Sequence, residues 1–409
     1  MTTMQRPALR DLANPAILPD PYPVLAALRE ASPFAEFDGA FLVAGRHADC
    51  SAVLRHPNAS SERNKSLIAA ASSARRASDR PSFLSLDPPD HTRLRRLVSK
   101  AFTPRTIARL EPRIRAITSE LLSAAAAARE LELVSQLAYP LPVRIISEML
   151  GVPVEDHPRF AGWSARLAHS LQPGFGVDSD EALDRAEAAQ AASDEFAEYF
   201  RALIALRRAQ PAEDLLSGLI RAEDDGEMLS ENELIATCVL LLVAGHETTV
   251  GLISNAILAL LRHPDQLALI RENPDLAAGA VEETLRYDAP VQMTARVARG
   301  GMQVGDVAAP DGALVLLLLA AAGRDPDVFA DPDRFDIRRG ATGHLAFAAG
   351  PHFCLGAPLA RLEATIAVQA FATRLRAPEL DPDSLAYKPN LNLRGPEQMV
   401  VRFAAMTAC

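Results

Sequence analysis

"LSENELIATCVLLLVAGHETTVGLISNAILALLRHP", Leu229 to Pro264, is the stretch whose reading decides the fold. Ser230 with Glu233 three residues on is a capping box, and His263-Pro264 closes the far end. The roughly 32 residues between, at 1.5 Å each, predict a helix about 48 Å long, enough to cross a whole domain. It is apolar nearly all round, so it must be buried in protein or in lipid. Lipid is the poorer host. "GHETT" puts an ionisable residue at mid-depth, the flanks lack aromatic belts, and the sequence offers no second span. A helix buried in protein must then account for Glu247, because a buried carboxylate neutralises, pairs or meets water. Ala244-Gly245 removes bulk from one turn beside it, so something approaches there closely. Two readings stand: a packing glycine with helix-bending threonines, or Glu247 and Thr248 handling protons at a cavity.

Outward from this helix, helical periodicity dominates from about residue 91 to 290, punctuated at "LGVPVEDHP", "LQPGFG", "ENPD" and "YDAPV". Strand candidates are short: "AFLVAG" near residue 40, "ARVA" near 295, "ALVLLLLA" from 313 and "MVVRF" near the end. "AAASSARRASDRP", residues 69 to 81, reads as a loop. The fold class is mainly α with small β-sheets. No linker divides the chain, so residues 1–409 are expected to form a single domain despite a length that would allow two or three.

The four cysteines, Cys50, Cys238, Cys354 and Cys409, form no CxxC pair, which argues against a disulfide framework or structural zinc site and fits a reducing compartment. The first residues carry no long apolar stretch, and a cytoplasmic protein is expected. A net charge of −10 argues against a general nucleic-acid role. Yet from His91 to Arg115 the chain holds eight cations and one acid, Glu111. This basic island is either a solvated helix face or a dock for an acidic partner.

Two further motifs complete the pattern. "VEETLRYDAP" sets Glu283 and Arg286 three apart on one helical face, by itself a common ion pair. "FAAGPHFCLGAPLARLE", Phe347 to Glu363, presents Cys354 at a helix start, where backbone N–H groups and the helix dipole favour a thiolate. A redox thiol, a nucleophile and a metal ligand all suit that position. No resolving cysteine or catalytic base lies adjacent, which weakens the first two, and a single thiolate can hold haem iron.

Taken in order, Ala244-Gly245-x-Glu247-Thr248-Thr249, Glu283-x-x-Arg286, "DPDRF", and Phe347-x-x-Gly350-x-His352-x-Cys354-x-Gly356 resemble the cytochrome P-450 family, in its soluble bacterial type. The resemblance runs from "DPPDHTRLR" at Asp87 to the end. It implies a haem b between the long central helix and the cysteine loop, with Cys354 as axial iron ligand. His91, Arg95, Arg296 and His352 match the family's propionate contacts. Phe347, Gly350 and Gly356 shape the cysteine loop, and Ala244 and Gly245 leave room on the oxygen side. Glu247 and Thr248 match the acid–alcohol pair that delivers protons there, while His246 occupies a variable position. Glu283, Arg286 and Arg334 resemble the buried ion network that fixes the fold around the haem. Ala348 and Gly323 depart from the residues most often found at their places, glycine and asparagine. Histidine at 352, where many relatives have arginine, is a third departure, one with precedent among bacterial members.

The implied activity is a mono-oxygenase that inserts one atom of O2 into a largely apolar small molecule by hydroxylation or epoxidation. Electrons would come from NAD(P)H through a ferredoxin reductase and a ferredoxin, to a monomer that needs no membrane. With His91 and Arg95 facing inward, Arg93, Arg96, Lys100, Arg105 and Arg109 are candidates for docking the acidic ferredoxin. A pocket lined by Phe83, Val243, Val291, Gln292, Met293 and Leu393 would suit a fatty acid, terpene, steroid or polyketide, with Gln292 and Thr294 as polar handles. The Phe175 region and the 69–81 loop are expected to gate it. The alternatives are a peroxide-driven relative of the same fold, a non-catalytic haem sensor, and a haem-free cysteine redox enzyme. The Glu247-Thr248 pair favours oxygen activation.

Overall fold

The long apolar segment forms one unbroken helix, and the other elements are arranged about it. The structure is a computed structural model that describes residues 9–71, 81–169, 180–224, 226–340, 342–390 and 392–407, so Phe175 and most of the 69–81 loop lie outside the described residues. The helices that build the site are α1 (Asp90–Ala101), α2 (Glu111–Ala125), α3 (Pro140–Met149), α4 (His157–His169), α5 (Asp180–Ala209), α6 (Glu231–Arg262), α7 (Ala277–Tyr287) and α8 (Ala357–Arg374).

Helix α6 starts at the predicted capping box. The Ser230 N–H donates to Glu233 Oε2 at 2.8 Å, and the Glu233 N–H donates back to Ser230 Oγ. Its leucines, isoleucines and valines then bury nearly every face against α3, α5, α7 and α8. Among the described residues it is the one helix long and apolar enough to cross a membrane, and most of that stretch is buried within the protein. Helix α8 packs in turn on α2, α6 and α7, which fixes the cysteine loop just before it against the core.

Strands β1 (Phe34–Glu36), β2 (Phe41–Ala44), β3 (Ala59–Ser60), β4 (Thr294–Ala298) and β5 (Leu314–Leu317) form a sheet in the order β1-β2-β5-β4-β3. Only β2 and β5 run parallel. "ALVLLLLA" is a strand only in its first half, and Leu319–Ala322 turns helical. A hairpin of β6 (Ala386–Tyr387) and β7 (Pro396–Gln398) encloses the turn that carries Lys388 and Leu393. Leu393 makes a β-bridge to Val291.

Candidate active site

One face of α6 is open in mid-helix. Ala244 is exposed, with Leu240 and Thr248, one turn to either side, half-buried, while the opposite faces are buried. Small side chains at i and i+4 spacing leave a hollow where a continuous apolar face would otherwise pack. Thr248 and Thr249 donate their hydroxyls back to the carbonyls of Ala244 (2.9 Å) and Gly245 (3.0 Å), a bond that tends to bend helices. The space on this face belongs to Ala244. A side chain at Gly245 would point at Ile146 of α3, 3.5 Å away and in ordinary contact.

Glu247 is nearly buried and is held by two groups that no motif reveals. Lys388 Nζ donates to Oε2 at 2.8 Å, and His246 Nε2 stands 3.4 Å from Oε1. Burial pushes this carboxyl up, but His246 and Lys388 together outweigh it and hold it down at about 2. Glu247 is therefore a carboxylate throughout the neutral range. His246 is itself buried, with Nδ1 2.7 Å from the Leu242 carbonyl.

On the facing side lies the cysteine loop. The Cys354 N–H donates to the Phe347 carbonyl at 3.0 Å, closing the loop immediately before α8. Gly350 has φ +68°, and a Cβ there would overlap the Leu54 carbonyl oxygen and lie 3.2 Å from Arg55 Cα. Only glycine fits on both counts. Ala348 adopts φ +57°, the left-handed region, which gives the glycine usual at its position a physical reason. Cys354 is exposed, whereas Cys50 and Cys238 are buried and burial pushes their thiols up. For Cys354, loss of hydration against the surrounding loop raises the thiol, opposed by the backbone N–H groups of Gly356 and Ala357 and by the Arg95 and Arg361 charges.

Beside this loop stands a cluster of two histidines and two arginines, His91, His352, Arg95 and Arg296, with Asp87 as its nearby acid. His91 is 2% exposed, and neither ring nitrogen has a partner among the described residues. Its ring lies 4.0 Å from that of His352. Burial, then the positive neighbours His91, Arg296 and Arg95, pushes His352 down to about 3. Among the described residues Arg296, buried on β4, donates only to the Ala295 carbonyl (2.9 Å) and Thr294 Oγ1 (3.4 Å). Burial, aided by Arg63, lowers it to about 10. Arg95 donates to the Phe353 carbonyl at 2.6 Å. The nearest acid, Asp87, already accepts from Ser60 and from the Ser61 N–H. Burying Arg296 beside Arg95 and two imidazoles whose protonation burial disfavours is unfavourable unless an anion joins them.

Comparison with known proteins identifies the family. The family described as Cytochrome P450 matches residues 40–383. The chain is 48% identical over 327 residues to cytochrome P450 107B1 of Saccharopolyspora erythraea, covering 79% of this chain and 77% of that one. It is 40% identical to the vitamin D(3) 25-hydroxylase of Pseudonocardia autotrophica, covering 97% of each. The crystal structure of ligand-free CYP164A2 from Mycobacterium smegmatis superposes with a TM-score of 0.90 at 48% identity, over 96% of this chain and 99% of that one. The chain belongs to the cytochrome P450 family. It is an oxidoreductase, a P450 mono-oxygenase, and the family carries haem b and uses O2.

In this P450 the buried ion network differs in one member from the sequence expectation. All five N–H groups of Arg286 are used: two on Glu283 (2.9 and 2.8 Å) and three on the carbonyls of Gly323, Pro332 and Arg334. The third side chain is Arg339, whose Nε donates to Glu283 at 3.1 Å. Arg334 contributes only its carbonyl, and its side chain turns outward to Asp336. The spacing of "DPDRFDIRRG" identified the loop without showing which arginine folds inward. Gly323 has its own reason, since a Cβ there would overlap the Arg286 carbonyl.

Five other residues also depart from their expected roles. Gln292 and Met293 do not line an open pocket. Gln292 is fully buried and donates its side-chain amide to the Ala289 carbonyl at 2.6 Å, satisfying a group left free past the end of α7. Met293 packs into the N-terminal apolar cluster with Tyr22, Leu25 and Leu316. Phe83 and Val243 are buried in the main core, with the Phe83 ring 6.5 Å from that of His91. Arg93 is not available for docking, because it pairs with Glu233 in the first turn of α6. Arg96, Lys100, Arg105 and Arg109 remain exposed on and after α1.

Proposed function

We propose that this P450 holds its haem by Cys354, with His91, Arg95, Arg296 and His352 receiving the propionates, and oxidises a largely apolar small molecule by hydroxylation or epoxidation. The observation that carries the reading is the cluster of His91, His352, Arg95 and Arg296, whose nearby acid Asp87 is already engaged, beside a cysteine on a tightly closed loop. When bound, a thiolate-ligated haem supplies reductive activation of O2. The chain's own part is to hold the sulfur, neutralise the propionates and bring protons to the open face of α6.

Glu247 and Thr248 carry that last task. An acid held at about 2 stores no proton at neutral pH, so Glu247 acts as a relay that must leave Lys388 to accept and pass one on. Thr248 offers its hydroxyl from the same face, beside the Ala244 hollow. An apolar substrate is favoured by the apolar residues expected to line the pocket, Val291 and its bridge partner Leu393 among them, with Thr294 as a polar handle. The 25-hydroxylase among the relatives, whose name gives vitamin D(3) as substrate, fits that class.

Electrons come from NAD(P)H by way of a ferredoxin reductase and an acidic ferredoxin that meets Arg96, Lys100, Arg105 and Arg109. The chain works as a single-domain cytoplasmic monomer. The test is the absorption spectrum of the purified, reduced protein under carbon monoxide. A Soret band shifted strongly to the red in wild type, and lost in Cys354→Ser, supports thiolate ligation. An imidazole-type spectrum, or no haem, refutes it.

A further inference from the structure

A second carboxylate holds the cysteine loop, and the proposed reaction does not use it. Glu282 precedes Glu283 on α7, and successive helical residues point about 100° apart. Glu283 therefore faces Arg286 in the core while Glu282 faces the loop. Arg361, near the start of α8, donates to both Glu282 oxygens, Nε at 2.6 Å and Nη2 at 3.0 Å. Its guanidinium also lies over the Phe347 ring, 4.6 Å from the centroid. Phe347 in turn gives its carbonyl to the Cys354 N–H.

His344 completes the arrangement. Its Nδ1 accepts the Ala346 N–H at 3.3 Å, so a neutral ring carries its proton on Nε2, which stands 3.2 Å from Glu282 Oε2. One carboxylate thus gathers the segment entering the loop and the helix leaving it. Burial pushes that carboxyl up, but His344 and Arg361 bring it down to about 2, so it stays ionised.

We propose that Glu282 and Arg361 are positioning residues for Cys354 whose charges act on its haem with opposite sign, Arg361 raising the reduction potential and Glu282 lowering it. The proposal rests on the haem-thiolate reading above. Taking Fe(III) to Fe(II) adds one electron, and so one negative charge, to the iron–sulfur site. A nearby cation favours that step and a nearby anion opposes it. Both side chains are about a third exposed, so solvent screens them and the shifts are modest. Their signs are what matter. A clamp that acted only by holding the loop would move the potential the same way whichever half was removed.

The experiment is a spectroelectrochemical titration of the haem-loaded wild type, Glu282→Gln, Arg361→Gln and Arg361→Lys at one ionic strength, each first checked for its carbon monoxide band. Glu282→Gln is expected to raise the potential and Arg361→Gln to lower it, while Arg361→Lys, which keeps the charge but not the fork, returns close to wild type. Shifts of the same sign in the two Gln variants, or no shift in either, overturn the proposal. So does loss of the thiolate band in both without an opposed shift. If wild type itself shows no thiolate band, the haem-thiolate reading fails first, and that is seen before any variant is compared.

Discussion

Gly350→Ala tests whether the cysteine loop is as tightly determined as its geometry implies. At φ +68° an alanine enters the left-handed region, at roughly 1–2 kcal/mol for a residue with a side chain. Its methyl group would also overlap the Leu54 carbonyl oxygen. That atom is backbone and cannot swing aside, so the loop or the end of the helix His47–Arg55 must shift, at about 1–3 kcal/mol. The sum is roughly 2–5 kcal/mol. At about 2.1 cal/mol/K of unfolding entropy per residue, a chain of 409 residues loses roughly 1 °C of Tm per kcal/mol, giving a fall of about 2–6 °C. The assay is thermal and urea unfolding of the haem-loaded protein, with the carbon monoxide spectrum as a second readout. Ala348→Gly is the paired control two residues away. It relieves the φ +57° conformation, offset by about 0.4–1 kcal/mol of added unfolded-state entropy, and should be neutral to slightly stabilising. Gly350→Ala within about 0.5 kcal/mol of wild type would refute the reasoning, as would an Ala348→Gly variant as damaged as Gly350→Ala.

Acid should expose the Glu247 lock. Its carboxyl lies at about 2 in the fold against an ordinary 4.5, so this stabilisation is fully present above about pH 5 and is lost as pH falls toward 2. It amounts to about 3 kcal/mol. Glu247→Gln should flatten stability against pH in that window, and an unchanged profile would disprove the lock. In the ion network, Arg339→Met should destabilise by about 1.5–3 kcal/mol through loss of a charge-assisted bond, while Arg334→Met stays within about 0.5 kcal/mol. Urea unfolding distinguishes the two, and equal losses would contradict the assignment. Reversing Arg96 and Arg105 to Glu should slow ferredoxin-supported reduction and weaken its salt dependence with haem content intact. Unchanged reduction kinetics would remove the docking surface.

The sequence carries those parts of the site that depend on local spacing. The capping box at Ser230 set the start of α6 to the residue, and "AFLVAG" and "ARVA" both became strands, because caps and alternation act within a few positions. What could not be read is which of several equivalent side chains a fold turns inward. Arg334, Arg338 and Arg339 are alike in sequence, and only the path of the loop after "DPDRF" brings Arg339 to Glu283. Lys388 reaches Glu247 from 141 residues away, on a hairpin turn with no motif to mark it. Arg93 looked like part of a docking face because charge along a helix says nothing of the acid that packs opposite it, here Glu233. The same limit applied to Glu282. Set beside Glu283 in "VEETLR", it was overshadowed by the stronger motif, although its neighbour works in the core while it works on the loop that holds Cys354. Adjacent acids on a helix necessarily face different surroundings, so one motif can mark a site and at the same time conceal a second residue that serves it.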